Sequence, residues 1–66
     1  MTAKEIQQIK LGDIIIDSEG WSYTVIEMLK HGVIAICAWK NYAGEFSKKV
    51  YFWFEDLRSD EYMLIQ

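Results

Sequence analysis

The chain has 66 residues, 52% of them hydrophobic, and ten acids against seven Lys and Arg for a formal charge of −3. That length allows one domain, residues 1–66, with a core too small to bury all ten aromatic side chains. The negative balance argues against affinity built on phosphate contacts, and the single cysteine, Cys37, excludes an intramolecular disulfide.

Cys37 and His31 are the only soft ligands and lack zinc-ligand spacing, so neither a metal nor another cofactor is expected. Met1 to Lys10 is polar and mixed, unlike a secretory leader. No run approaches the ~20 apolar residues of a membrane span. The expectation is a soluble cytoplasmic protein with a reduced thiol and no membrane partner.

Thr2-Ala3-Lys4-Glu5 has capping-box spacing, and Ile6 and Ile9 give a short helix one apolar edge before Gly12. Asp13 then opens a β-branched strand, Ile14-Ile15-Ile16-Asp17. Asp17-Ser18-Glu19-Gly20 reads as a turn. Trp21 to Leu29 is the second strand, Lys30-His31-Gly32 a tight connection, and Val33 to Lys40 the third strand. Asn41 to Phe46 reads as a longer loop and Ser47 to Phe54 as the fourth strand. Glu55-Asp56-Leu57 reads as a 3₁₀ turn before a short last strand, Tyr62 to Ile65.

The strands are apolar on both faces. Val33 to Trp39 carries no charge, and Val50-Tyr51-Phe52-Trp53-Phe54 is an unbroken apolar and aromatic run. A half-solvated antiparallel sheet alternates apolar with polar. One face here forms a core; the other must meet a second layer, a second copy or a partner.

The connection at Lys30-His31-Gly32 decides which residues share a face. A two-residue loop puts His31 and Gly32 at positive φ. A three-residue loop with a glycine bulge needs positive φ only at Gly32 and is preferred. In that register Ile26, Met28, Ile34, Ile36 and Ala38 share one face, taken as the core side together with Val50, Phe52 and Phe54. Trp21, Tyr23, Val25, Cys37 and Trp39 share the other, with Glu27 and Ala35 between them, and Tyr51 and Trp53 are grouped with it.

The element order, with Leu11-Gly12-Asp13-Ile14-Ile15, Tyr23-Thr24-Val25-Ile26 and Phe54-Glu55-Asp56-Leu57, resembles the Src-homology-3-like small barrels, the group that includes Tudor-like and KOW-like domains. The resemblance implies an all-β fold: a strongly twisted five-stranded small barrel with a short N-terminal helix and a 3₁₀ turn before the last strand. It also implies a binding module for peptides, nucleic acid or other subunits. Many small stand-alone barrels of this kind are encoded by phages and mobile elements.

Three sets of residues carry functional expectations. Trp21, Tyr23, Trp39, Tyr51 and Trp53 are a candidate protein-binding face, because Trp and Tyr bury much area yet keep a polar handle. Their bland alternative is ordinary core. Lys40, Tyr42, Phe46, Lys48 and Lys49 are a candidate single-strand nucleic-acid site, bases interleaved with rings, or else a solvated hairpin end with gatekeeper lysines. Asp13, Asp17 and Glu19 form one acidic group, and Glu55, Asp56, Asp60 and Glu61 around Arg58 a second. These can steer a basic partner or simply serve as turn residues.

No nucleophile, base or paired carboxylates stand at catalytic spacing, so no enzyme is expected. The sequence therefore reads as a non-catalytic protein-binding module: a small phage or mobile-element accessory protein that inhibits or adapts a host protein. Its expected partners are a protein with a basic surface and a second copy of itself, as a homodimer. Nucleic-acid binding is the alternative.

Overall fold

A computed structural model describes residues 1–65. Five antiparallel strands form one sheet in the order β4-β3-β2-β1-β5. They are β1 (Ile14–Ile16), β2 (Ser22–Met28), β3 (Gly32–Asn41), β4 (Gly44–Trp53) and β5 (Met63–Ile65). The helices are α1 (Ala3–Gln7) and α2 (Phe54–Leu57). The expected 3₁₀ turn over Glu55–Leu57 is instead a single turn of α-helix beginning one residue earlier.

Local chemistry explains the first elements. Thr2 Oγ1 accepts from the Glu5 N–H at 3.1 Å, and Glu5 Oε1 accepts from the Thr2 N–H at 2.9 Å, closing the capping box. Gly12 has φ 90°, a conformation that side chains resist. The Gly12 N–H donates to the Val25 carbonyl, and the Val25 N–H donates to the Asp13 carbonyl. Asp13 is buried, and its Oδ2 accepts from the Lys10 N–H at 3.0 Å. It is thus a structural residue feeding the chain into β1, where the sequence grouped it with exposed acids.

The β2–β3 pairing follows neither register expected from the sequence. Met28 pairs with Val33 and Glu27 with Ile34, then the ladder shifts so that Val25 pairs with Ala35 and Thr24 with Ile36. The Leu29 N–H donates to the Gly32 carbonyl at 2.9 Å, so the loop is Lys30-His31, and among the described residues no non-glycine residue has positive φ. Gly32 avoids it too. Ile26 is the extra residue of a β-bulge, which bends its strand and sharpens the local twist.

The bulge and pairing settle the core, and they reverse the expectation from sequence. Ile15, Val25, Val33, Ala35 and Phe52 are buried on one face, with Met1, Ile9 and Leu57 packed over them. Tyr23, Val50, Phe54, Tyr62 and Leu64 pack half-buried at the margin. Most of the aliphatic set assigned to the core is on the outer face: Ile34 and Ile36 are half-buried there and Ile26 and Ala38 exposed, while Met28, opposite Val33, is on the core side but exposed at its edge. Val50 and Phe52 are core-facing as expected, but with Val25 and Ala35 rather than with Ile34 and Ile36.

The second hairpin is much tighter than the expected six-residue loop. β3 and β4 pair continuously from Gly32↔Trp53 to Asn41↔Gly44, leaving only Tyr42-Ala43 as the turn. Asn41 Oδ1 accepts from the Ala43 N–H at 2.8 Å, and Gly44 takes φ 134°. Beyond the Thr24↔Ile36 pair, β3 has no ladder with β2, so residues 38–47 project as a two-stranded ribbon.

β4 and β5 share no ladder, so the sheet is open where a closed barrel was expected. Even so, its curvature carries Phe52 of β4 to within 5.5 Å of Tyr62, the residue before β5, measured between ring centroids. The Met1 amino group donates to the Ser59 carbonyl at 2.7 Å and the Tyr62 carbonyl at 3.2 Å, holding that segment in place.

Three substitutions test this packing by urea and thermal unfolding. Phe52→Ala should cost about 3–5 kcal/mol, comparable with the whole stability of a domain this small, whereas Met28→Ala should cost under about 1 kcal/mol. Gly32→Ala should also destabilise strongly, because its Cβ would collide with the Phe52 carbonyl across the ladder. A thermal midpoint within a few degrees of wild type for Phe52→Ala or Gly32→Ala would contradict the register described here.

Candidate functional site

The open part of the core-facing side forms a cleft. It is lined by Asp17, Glu19, Trp21, Tyr23, Cys37, Trp39, Lys48 and Val50, with a volume of about 320 Å³. Three loop and strand features build it. The β1–β2 turn supplies the acids, the entry to β2 supplies Trp21 and Tyr23, and the projecting β3–β4 ribbon supplies Trp39 and Lys48.

Asp17 organises the first of these. Its Oδ1 accepts from the Glu19 and Trp21 N–H groups, each at 3.0 Å, and its Oδ2 accepts from the Tyr23 hydroxyl at 2.9 Å. The Asp17 N–H in turn donates to the Trp21 carbonyl, and the Gly20 N–H donates to the Asp17 carbonyl. One carboxylate therefore fixes the turn, aims Trp21 and holds Tyr23. Burial works to raise the Asp17 pKa, but the Tyr23 hydroxyl and the Trp21, Glu19 and Gly20 N–H groups outweigh it and hold the carboxyl below its ordinary value. Tyr23 is pushed up to about 12, by burial first and then by its bond to the Asp17 carboxylate.

The rings form a short array. Trp21 meets Trp39 edge-on, with centroids 6.2 Å apart and planes at 77°. Trp39 stacks on Phe46 at 5.8 Å and 19°, across the ribbon where the two residues pair directly. Trp21 is 45% exposed and Trp39 37%, so the array faces solvent while the inner end of the same face is closed by Phe52. Edge-on and offset-stacked geometries are those the ring quadrupoles favour.

The five aromatics grouped in the sequence divide between two faces. Trp21, Tyr23 and Trp39 come together in the cleft. Tyr51 pairs with Ile34 and Trp53 with Gly32, so both lie on the opposite, convex face. Grouping them with the cleft is corrected by the register: Phe52 points inward, and its neighbours on the strand point outward. Phe46, considered only for nucleic acid, joins the cleft array instead.

The nucleic-acid set is likewise dispersed. Lys40 is 3.8 Å from Glu45, its cross-strand partner, with both side chains largely in solvent. Lys48 lines the cleft, Lys49 lies on the convex face opposite Ile36, and Tyr42 stands fully exposed at the ribbon tip. Cys37 is a buried free thiol at the cleft floor. His31 is in the β2–β3 loop beside Trp53, Phe54 and Glu55. Among the described residues no group of three or more His, Cys, Asp or Glu could hold a metal ion, and no helix is long and apolar enough to cross a membrane.

Comparisons with family models, with curated proteins and with solved structures find no match to this chain.

The Asp17–Tyr23 bond has a testable titration. A phenol whose folded pKa lies above its ordinary value of 10 contributes stability that is fully present below pH 10 and lost as pH rises toward about 12. Site-resolved NMR titration should show the Tyr23 phenol ionising well above 10. Asp17→Ala should lower its pKa, leaving burial and the weaker contributions of Cys37 and Tyr62. A Tyr23 titration unmoved by Asp17→Ala would contradict the bond.

Proposed function

We propose that the chain is a non-catalytic protein-binding module whose contact surface is the aromatic cleft. In this reading the fold is a Src-homology-3-like small barrel left open between β4 and β5. The observation that supports it most directly is the exposed Trp21–Trp39–Phe46 array, continuous with the core yet uncovered by any element of the chain. Monomeric soluble domains rarely leave contiguous ring surface open without a use for it. Trp anchors seated in a cleft are the groups that dominate binding energy at protein interfaces.

Asp17 and Glu19 stand at one rim of the cleft and Lys48 at the other. A segment that places a Lys or Arg beside the β1–β2 turn and an apolar or aromatic side chain against Trp39 satisfies both ends. Such charges act mainly on orientation and on-rate, while the rings supply affinity. The module then works by occupying its partner's surface rather than by chemistry.

A displayed-peptide selection against the wild-type chain tests this. Selected peptides should carry a basic residue near an apolar anchor. Trp21→Ala and Trp39→Ala should each weaken their binding by at least ~2 kcal/mol with the fold intact by circular dichroism. Trp53→Ala, on the convex face, should change it little. Peptides indifferent to both cleft substitutions would sink the reading. A single-stranded oligonucleotide bound with a steep salt dependence, and released by Lys48→Glu plus Lys49→Glu, would move the function to nucleic acid.

A further inference from the structure

The convex face of the sheet is a second apolar surface, separate from the cleft. Its rows read across the strands as Ile65, Ile14, Thr24, Ile36 and Lys49 in one line, and Glu27, Ile34 and Tyr51 in the next. Met63 and Ile16 extend it at one end and Trp53 at the other. No helix covers it: α1, the Ile9 segment and α2 all pack their apolar residues on the core side. From these features we infer that the face is the interface of a symmetric homodimer.

Two observations favour a second copy of this chain as the occupant. The first is area. Tyr51 is 63% exposed and Trp53 51%, which at ~150–250 Å² per aromatic side chain amounts to on the order of 200 Å² from two residues. With Met63, Ile65, Ile26 and the half-buried isoleucines, the face presents on the order of 600 Å². That is at the top of what a monomer leaves open, and close to the ~800 Å² each partner gives to a standard interface.

The second observation is charge. The face carries an acid and a base, Glu27 on the inner strand β2 and Lys49 on the edge strand β4, on opposite sides of Ile34 and Ile36. Both are exposed. Stacking two such faces about a two-fold axis lying between them can set each copy's Glu27 over the other's Lys49. One operation then makes both pairs, so the surface is complementary to itself. A foreign basic or acidic partner would satisfy only one of the two charges.

This inference does not depend on the cleft, which stays open in such a dimer. Sedimentation equilibrium on the full chain tests it, with circular dichroism on every variant. The wild type should reach twice the 7.8 kDa chain mass at high micromolar concentration. Glu27→Lys and Lys49→Glu should each weaken the dimer about tenfold, because the two-fold axis turns one substitution into two like-charge contacts per dimer. The double reversal should restore the dimer to within about threefold of wild type. Trp53→Ala should abolish it; if that variant misfolds, the reversals at exposed positions still decide the matter. A monomer persisting to millimolar concentration would overturn the inference. So would a dimer indifferent to the reversals, or one lost on Trp39→Ala instead.

Discussion

Phe52 is the side chain on which the arrangement depends. It sits edge-on to Tyr23 at 5.0 Å and to Tyr62 at 5.5 Å, between rings planted on β2 and just before β5. A flat five-stranded sheet would hold β4 and β5 four strand spacings apart, roughly 19 Å. Ring contact between β4 and the residue before β5 therefore requires the sheet to curl around Phe52. The Ile26 bulge supplies the bend, and the small residues on β3 make room for it: Ala35 is fully buried, and Gly32 lies directly against the Phe52 carbonyl. Once Phe52 points inward, the period of two along β4 leaves Tyr51 and Trp53 no inward option. The convex surface is in this sense a consequence of the core.

Much of the fold was legible because the controlling interactions are local. The Thr2/Glu5 capping box, the Asp17–Gly20 turn, the Gly12-Asp13 entry to β1 and the inward Phe52 all follow from residues within a few positions of one another. What escaped was non-local. The Ile26 bulge has no glycine or proline to announce it, and it exists because the curl demands it. Without it, Ile26 looks like core and the aliphatic face carrying Ile34 and Ile36 looks like the inside. The Tyr42-Ala43 turn was read as a long loop because polar and small residues there suit either form. Asn41 and Gly44 decide it, through one side-chain hydrogen bond and one positive φ.

The cleft was half legible for the same reason. The register taken for the β2–β3 connection put Trp21, Tyr23 and Trp39 on one face, and the cleft brings those three together. Parity could not place β4 against β3 without the hairpin register, so Tyr51 and Trp53 were joined to the wrong side. Phe46 was missed as a cleft residue because its partner, Trp39, is reached only when the ribbon pairs continuously. The signal available was the symmetry of the hairpin: counting outward from an Asn41↔Gly44 closure puts Trp39 opposite Phe46.

Asp17 shows how little sequence separates a structural residue from a functional one. Its two carboxylate oxygens accept three hydrogen bonds, from the Glu19 and Trp21 N–H groups and the Tyr23 hydroxyl. Most of its acceptor capacity is therefore committed within the chain, and the acid left free at that rim is Glu19, exposed on the turn. Hydrogen-bonded and exposed charge are thus divided between residues two apart. Asp17 holds Trp21 and Tyr23 at fixed positions, which lowers the ordering cost of binding against them. The ring array is backed by a packed core and has an exposed acid, Glu19, at its edge. On the convex face Ile34 and Ile36 are held half-buried in the ladder, flanked by the exposed charges of Glu27 and Lys49. On both faces the strand register, rather than any loose segment, sets which apolar side chains are presented.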